Sequence, residues 1–439
     1  MASNNTFNSV LRSILQLYSS SNTRRPSLIM QVGKYFVSED LKKENVILPT
    51  IYNTIESIAD KITILLEAET RPDCLNRASR AMGSLYLLSP FDDLHVAKVN
   101  KRYKPIYRLI VAIRFLDEML FQDRCKSGYL KQYWRGYERF ESKDDFIQFK
   151  EMFIKPLVYS ILIESAAFEH PDAENILKGT KDEKILDEFR TLQPSDRVAL
   201  SRVTGKAQSE LLTELLAYRR MERINNSETP QVNDDFNAYC KSLYSLSRDS
   251  SNELGSTLKI ASIYASAVLP TKLNPSRKST VEAFKFLSLH VEKGKLSKNI
   301  ATSFMRMFGI FPQGFGVTCA VENISNKQVT IEKAIVNKLY PSEPTSPHCR
   351  VVTRFNEFDR GFRDQVVKRN VNLFFKAVFD EHSRTVVRRM ASTLEQAENA
   401  DELLEKLLPR LWEPHEYFGT REVNIWNNVS YDEFKESAA

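Results

Sequence analysis

The chain has 439 residues, of which 42% are hydrophobic and 27% are charged, and its formal net charge is +6. This length suits two or three domains with a substantial core, and the modest charge permits an acidic partner without requiring nucleic acid. The longest apolar run, 156–163, is too short to span a bilayer. Glycine is scarce, with 13 residues, and no GxGxxG or GxxxxGK[ST] motif occurs, which disfavours a phosphate-cradling loop.

The first predicted element is an amphipathic helix within residues 1–22, with an apolar stripe that includes Phe7, Leu11, Ile14 and Tyr18. The stripe either packs on its own domain or binds a partner. Because the chain begins with polar residues, we expect no signal peptide. The five cysteines form no CxxC pair, so reduced thiols in a cytoplasm are expected.

Further along, Leu28–Val37 is compatible with either a strand or a helix, whereas Ile47–Leu66 has strong helical periodicity. A third helix is predicted over Ala78–Leu88, ahead of Pro90. The polar run 91–101 interrupts the apolar pattern, which places a domain boundary near residues 95–102.

The middle of the chain is predicted to be almost entirely helical. The predicted helices are Ile106–Phe121, Tyr129–Phe140, Asp144–Phe168, Gly179–Leu192, Pro194–Met221, Asp235–Leu269 and Lys278–Val291, with a loop over Arg223–Asp234. Basic and aromatic residues interleave in 129–149, but their helical spacing favours a core with a solvated basic face over nucleic-acid binding.

The stretch 296–355 changes from helical to alternating periodicity. An amphipathic run ends at Gly309, where a helix can end on a left-handed glycine, and Pro312 and Gly314 then predict a turn. Short strands are predicted around Val317–Val321, Val329–Val336 and Cys349–Val352. The sequence therefore predicts a mostly α fold that includes a small C-terminal β-meander.

This arrangement resembles the C-terminal end of the bacterial HD-GYP domain. The similar residues are Phe308-Gly309, Phe311-Pro312 with Gly314, and Ala334-Ile335-Val336. The resemblance implies an HD-like helical bundle over residues 101–353, preceded by an N-terminal helical domain in 1–100 and followed by a C-terminal helical extension in 354–439.

HD-type phosphohydrolases hold divalent metals with histidines and aspartates from several helices, and the resemblance places other residues at those positions. In the segment ILIESAA, Ile163 and Glu164 stand where the family has His-Asp. Ser262 stands for a ligand aspartate. The second signature, HHExxDGxGYP, corresponds to RRMERINNSETP, whose matching residues include Arg220, Met221, Glu222, Asn225 and Asn226. The resemblance therefore implies no bound metal, no cofactor and no catalysis.

The histidine pattern points the same way, because the six histidines are far apart and form no HxH, HxxxH or HExxH motif. One basic cluster stands where the family has a loop at the mouth of its site: Lys272, Arg277 and Lys278. We interpret it as possible anion-binding residues. Three tail aromatics either bind a partner or pack inward: Trp412, Trp426 and Tyr431.

The function that these observations favour is a non-catalytic HD-GYP-like scaffold or regulatory protein that acts through protein–protein interaction. The resemblance implies a bacterial, cytoplasmic protein in motility, surface adhesion or second-messenger signalling, with recruitment to a membrane-associated assembly as an option. The alternatives are a receptor for cyclic-di-GMP or another nucleotide, and a divergent metal-dependent phosphodiesterase. Nucleic-acid binding is not expected.

Overall fold

The structure is a computed structural model. It describes residues 2–20, 26–38, 40, 46–89, 96–179, 188–226, 229–246, 252–272, 280–322, 329–355, 357–389 and 408–414. Within these residues the chain is mostly α-helical with one small antiparallel sheet, which confirms the predicted fold class. None of the helices in this part of the chain has the length and apolar character needed to cross a membrane.

The helices vary widely in length. In chain order they are α1 (Ala2–Tyr18), α2 (Leu28–Val37), α3 (Ile47–Leu66), α4 (Arg71–Leu87), α5 (Val96–Phe121), α6 (Gly128–Tyr133), α7 (Glu138–Glu141), α8 (Lys143–Phe149), α9 (Lys155–Ala166), α10 (Pro171–Lys178), α11 (Pro194–Asn225), α12 (Pro230–Leu246), α13 (Glu253–Val268), α14 (Ala283–Glu292), α15 (Lys298–Phe308) and α16 (Lys376–Arg389). A π-helical turn, Lys150–Ile154, joins α8 to α9, and a 3₁₀ turn, Ala167–Glu169, follows α9.

The chain forms two compact units, which do not coincide with the predicted segments 1–100, 101–353 and 354–439. One unit comprises Met1–Ala81 and Ser89–Ser303, and the other comprises Met82–Leu88 and Phe304–Ala439. The boundary expected near residues 95–102 is absent because α5 begins at Val96 and continues without a break to Phe121. From Val96 onward, the polar residues of that run belong to α5 rather than to a linker.

Two helices supply the centre of the first unit. The second half of α5 is buried over consecutive turns, including Ile106, Ile110 and Phe115, and α9 is buried over most of its length. Around α9 pack α5, α11 and α12, while α13 packs along α5. A helix that is apolar on all sides has to lie inside the fold, and α9 fits that rule.

The N-terminal stripe packs on its own unit. In α1, Leu11, Ile14 and Tyr18 are each at most 3% exposed, and the helix lies against α3. The ambiguous stretch Leu28–Val37 is a helix, α2, with Leu28, Val32 and Tyr35 buried. Burying side chains of this size stabilises a fold by roughly 1.5–3 kcal/mol each, so α1 contributes to the stability of the unit.

Several predicted helix limits are wrong. Arg135 and Gly136 have positive φ, so the predicted helix Tyr129–Phe140 is two short helices. The predicted loop Arg223–Asp234 is largely helical, since α11 ends at Asn225 and α12 begins at Pro230. Gly179, with φ of 86°, ends α10 where a helix was expected to start.

The second unit contains the predicted β-meander. Its antiparallel strands pair in the order β1 (Gly316–Glu322), β2 (Val329–Val336), β3 (His348–Arg354) and β4 (Glu357–Val366). The fourth strand was not predicted because its sequence, EFDRGFRDQV, is polar and mixed in charge. A domain limit at residue 353 would separate β3 from β4, which are paired, so that predicted limit is wrong.

Two glycines in the second unit have the positive φ that the turn prediction requires. Gly309 has φ of 66° at the end of α15, and Gly314 has φ of 88° in the turn before β1. A Cβ atom on Gly309 would lie 2.9 Å from Cγ of Pro341, so both backbone conformation and space favour glycine. The predicted end of the helix at Gly309 is thereby confirmed.

The tail aromatic that the structure describes is not on a surface. Trp412 is 5% exposed, and its indole N–H donates to the carbonyl oxygens of Val317 and Ala334, each at 3.1 Å. The expectation that Trp412 binds a partner is therefore corrected, because its side chain packs into its own unit. Trp426 and Tyr431 lie outside the described residues.

Candidate functional site

A cavity of about 430 Å³ lies beside the first half of α5 in the first unit. Its wall contains five basic residues, Lys98, Lys101, Arg102, Lys104 and Arg108, and three acidic residues, Glu164, Glu169 and Glu188. Hydroxyl groups come from residues that include Ser165, Ser262, Ser266 and Thr271, and apolar surface from Tyr18, Ile29, Phe168, Leu177 and Phe189. We call this the basic cavity. Its volume falls within the range of small-molecule sites.

The basic residues converge because of their spacing on one helix. Lys98, Lys101, Pro105 and Arg108 recur at intervals of three and four residues, so they share one face of α5. The opposite face carries apolar residues such as Ile106 and Ile110, which are completely buried. Burial of the apolar face fixes the helix rotation and leaves the basic stripe in the cavity wall.

Two of the cations are paired across the cavity with carboxylates from other elements. Arg108 Nη2 lies 2.7 Å from Glu164 Oε2 on α9, and Lys101 Nζ lies 2.8 Å from Glu188 Oε2. The Arg108 side chain is 12% exposed, and its Nε is buried without a hydrogen-bond partner among the described residues. Each pair joins α5 to a segment distant in sequence.

Lys104 differs from Lys101 and Arg108 in its partner. Its ammonium group donates to Thr271 Oγ1 at 3.1 Å, and it has no carboxylate partner within the part of the chain that is described. Burial, and secondarily the positive charge of Arg108, lower the pKa of Lys104 to about 8. The amine therefore loses its proton at a lower pH than an ordinary lysine.

Burial disfavours the negative charge of one carboxylate in the cavity wall. Burial raises the pKa of Glu169, with Lys101 opposing and Glu174 and Glu188 adding to the shift. Five basic side chains thus face three carboxylates, one of which ionises less readily than usual. An excess of positive charge around an enclosed volume attracts and retains anions.

The structure separates the site residues that the resemblance would bring together. Glu164 and Ser262 line the basic cavity, whereas Ile163 is fully buried. The residues matched to the second signature lie at the C-terminal end of α11, and none of them lines the cavity: Arg220, Met221, Glu222, Asn225 and Asn226. Of the positions that the resemblance points to, only Glu164 and Ser262 therefore contribute to the cavity wall, and the interpretation of the whole set as degenerate family positions stays a prediction.

Their individual surroundings support this separation. Arg220 forms a half-exposed ion pair with Asp234 at 3.1 Å, and Met221 is 54% exposed. The proposed anion-binding residue Lys272 is exposed and follows Thr271 of the cavity wall, while Arg277 and Lys278 lie outside the described residues. Of the described residues, no three His, Cys, Asp or Glu side chains are grouped in a way that would hold a metal ion.

The charged side chains of a second cluster in the same unit are buried. Asp117 accepts two hydrogen bonds from Arg139, at 2.8 and 3.0 Å, and one from Trp134 at 2.6 Å. Arg114 contacts both Asp117 and Glu67 and is completely buried. We call these five residues the buried network. Each cation is paired with a carboxylate there, so the network joins the C-terminal end of α3 and α5 to the α6–α7 segment.

Sequence reasoning missed the basic residues of the cavity. The signal was present, since VAKVNKRYKPIYR places Lys98, Lys101 and Arg108 on one helical face. It was interpreted as a domain boundary because the polar run 91–101 interrupts the apolar pattern. The wall residues that contact the α5 cations, Glu164, Glu188 and Thr271, lie 56 to 167 positions from their partners, so no local pattern connects them to α5.

No protein-family model, no curated protein and no solved structure matches this chain. The function of the basic cavity therefore has to be inferred from the chemistry of the residues that line it.

Proposed function

We propose that this protein is a non-catalytic receptor for a phosphorylated small molecule of nucleotide size, which binds in the basic cavity. The observation that carries the proposal is the excess of basic side chains along one face of α5, in the wall of a cavity of about 430 Å³. Lysine and arginine are the side chains that proteins use to bind phosphate groups.

The division of the wall suits a ligand with two chemically different ends. Lys98 and Arg102 are exposed and have no ion-pair partner among the described residues, so they are available to phosphate oxygens. Apolar surface from Ile29 and Leu177 and the rings of Phe168 and Phe189 suit a planar base, because stacking on aromatic rings stabilises any nucleobase. Hydroxyl groups such as Ser262 can bond the linking sugar.

The regulatory part of the proposal rests on the resemblance to HD-GYP domains. We infer that ligand occupancy controls binding of a protein partner in a bacterial, cytoplasmic signalling, motility or adhesion system. Trp412 is buried and therefore does not offer such a surface. The cavity, rather than the tail, is the feature on which the function depends.

The test uses the full chain with a panel of ligands in the presence of a chelator. Inorganic pyrophosphate, nucleoside mono- and triphosphates and cyclic dinucleotides are compared by thermal shift and calorimetry. Binding of a ligand stabilises the native state in proportion to the logarithm of its concentration over Kd. We expect phosphorylated ligands to raise the melting temperature, while the parent nucleosides have little effect.

The test compares one double variant with one single variant, both at exposed cations. Lys101→Gln combined with Arg102→Gln is expected to weaken binding by roughly tenfold or more, since each tenfold is about 1.4 kcal/mol. Lys206→Gln removes an exposed charge on α11 outside the cavity and leaves affinity unchanged. Equal losses in both variants would refute the site. Turnover of a bound ligand that disappears in Glu164→Gln would refute the non-catalytic part.

A further inference from the structure

We infer that Lys104 is a reactive amine that forms an imine with a carbonyl-bearing anionic ligand in the basic cavity. The inference deepens the proposed function and rests on it, because the same cations would hold the phosphate of that ligand. The chemical class is a phosphorylated aldehyde or ketone. Lysine amines that are desolvated beside another cation act as Schiff-base nucleophiles in proteins.

The positions of the other cavity cations single out Lys104. Lys101 is paired with Glu188 at 2.8 Å, and Arg108 is paired with Glu164 at 2.7 Å. Lys98 and Arg102 are exposed, so water solvates their charges. Lys104 is half-buried and, within the described residues, its ammonium group contacts only a neutral hydroxyl, that of Thr271 at 3.1 Å.

The surroundings of Lys104 favour the neutral amine. Arg108 lies one turn further along α5 and Lys101 one turn before, so both nearest charges on its own helix are positive. The acidic groups of the cavity, Glu164 and Glu188, are each engaged with one of those cations, and burial disfavours ionisation of Glu169. A neutral amine at near-neutral pH is the species that attacks a carbonyl carbon.

The reaction balances without an additional reactant. The lone pair of Lys104 Nζ forms a bond to the carbonyl carbon, and the π electrons of the C=O bond move to the oxygen. The two amine hydrogens then leave with this oxygen as water, which gives the C=N bond of the imine. The Thr271 hydroxyl, already hydrogen-bonded to Nζ, is placed to relay a proton between nitrogen and oxygen.

The experiment uses pyridoxal 5′-phosphate as an anionic aldehyde and pyridoxal as its counterpart without phosphate. The full chain is incubated near neutral pH, and sodium borohydride reduces any imine to a stable secondary amine. Peptide mass spectrometry then locates the label. We expect Lys104 to be labelled at least about tenfold faster than exposed Lys206, because a larger fraction of its amine is unprotonated.

Two variants separate reactivity from binding. Lys104→Arg keeps the positive charge and loses the amine, so phosphate ligands still bind while labelling in the cavity disappears. Lys206→Arg leaves labelling of Lys104 unchanged. Labelling of Lys104 no faster than that of Lys206, or cavity labelling that persists in Lys104→Arg, would overturn the inference.

The two proposals fail in different ways. If phosphorylated ligands stabilise the protein but Lys104 is not labelled, the cavity binds phosphate and the inference of an imine is wrong. If pyridoxal and its phosphate label Lys104 equally and inorganic pyrophosphate does not slow either reaction, the amine is reactive but the proposed phosphate site is wrong.

Discussion

The first unit contains two clusters of charged side chains, one in which cations and carboxylates are paired and one in which cations are in excess. In the buried network, Asp117 lies between Arg139 and Arg114, and its oxygens accept hydrogen bonds from guanidinium and indole groups. In the basic cavity, cations outnumber carboxylates and line an open volume. Charges that saturate one another stabilise a fold or fix its geometry, whereas charges in excess remain available to a ligand.

The largest expected effect concerns the buried network. Burial alone would raise the pKa of Asp117, but Arg139, Arg114 and Trp134 outweigh burial and lower that pKa well below its ordinary value. Asp117→Ala leaves the Arg139 guanidinium buried without its carboxylate and leaves Arg114 with Glu67 alone. We expect the free energy of unfolding to fall by about 3–5 kcal/mol in urea denaturation.

The matched control is an exposed pair in the same unit. Glu282 and Lys285 lie 3.1 Å apart in an exposed i,i+3 pair, and Glu282→Gln should change the free energy of unfolding by less than about 0.5 kcal/mol.

The contribution of Asp117 to stability should also depend on pH. Since the folded-state pKa of Asp117 is lowered, its stabilising contribution is present above the unfolded pKa and is lost as the solution becomes more acidic. A loss below about 1 kcal/mol in Asp117→Ala would show that the network is not a source of stability.

The next effect concerns the cavity, where the same kind of change should weaken binding more than folding. Arg108→Gln removes a cation whose partner, Glu164, keeps 29% of its side chain exposed and so remains solvated. We expect affinity for a phosphorylated ligand, measured by calorimetry, to fall by about 10- to 100-fold, since hydrogen bonds to charged groups contribute roughly 1.5–3 kcal/mol. Stability should fall by less than about 1 kcal/mol.

Arg108→Lys refines this prediction. Lysine keeps the charge but not the planar guanidinium, so an intermediate affinity is expected if Arg108 binds phosphate with two N–H groups. If Arg108→Gln destabilises the protein as much as Asp117→Ala while leaving affinity intact, the contrast between the two clusters is wrong.

A smaller effect should appear as a dependence of affinity on pH. Because the pKa of Lys104 is lowered to about 8, its positive charge is lost as the pH rises through that value, and anion affinity should fall by up to about tenfold. The charged groups around it are Lys101 and Arg108 on α5 and Glu164, Glu169 and Glu188 from the other walls. A cyclic nucleotide suits this titration because its phosphodiester charge is constant between neutral and mildly alkaline pH.

Lys104→Met is the control for that titration, since it keeps the length of the side chain and removes the charge. Its affinity should be lower than that of the wild type at neutral pH and should no longer depend on pH in this range. A pH dependence that persists in Lys104→Met would assign the titration to another group.

The difference between the clusters also explains which features could be predicted from the sequence. Helix α3 was predicted at its observed limits, Ile47–Leu66, because its apolar stripe is set by local periodicity. The end of α15 at Gly309 was predicted because one residue type satisfies that backbone conformation. Strand β4 was missed because its polar sequence lacks the alternation that marks a half-buried strand.

The cavity was beyond prediction for a different reason. Its basic stripe is local to α5, but whether that stripe faces solvent or a ligand depends on where α9, α10 and α13 place the opposite wall. The sequence pointed to Glu164 and Ser262 through a resemblance, and these two residues do line the cavity. It also pointed to Met221 and its neighbours on α11, which do not, because motif order does not determine which helix ends meet in space.

The smallest expected effect has the opposite sign to the others and tests the comparison most directly. In the buried network, loss of a carboxylate removes a partner that two cations need. In the cavity, Glu188 competes with any bound anion for Lys101, since the two side chains lie 2.8 Å apart and are both partly exposed. Glu188→Gln should therefore strengthen binding of a phosphorylated ligand by about two- to fivefold, because exposed pairs contribute up to about 1 kcal/mol. Stability should hardly change.

Glu174→Gln is the matched control, as Glu174 forms an exposed pair with Lys178 and does not line the cavity. Calorimetry at low salt measures both variants, and added salt should reduce the gain in Glu188→Gln by screening. A weaker affinity in Glu188→Gln would mean that the carboxylate positions Lys101 for the ligand rather than competing with it. The charges of the cavity would then be paired to fix geometry, as the charges of the buried network are.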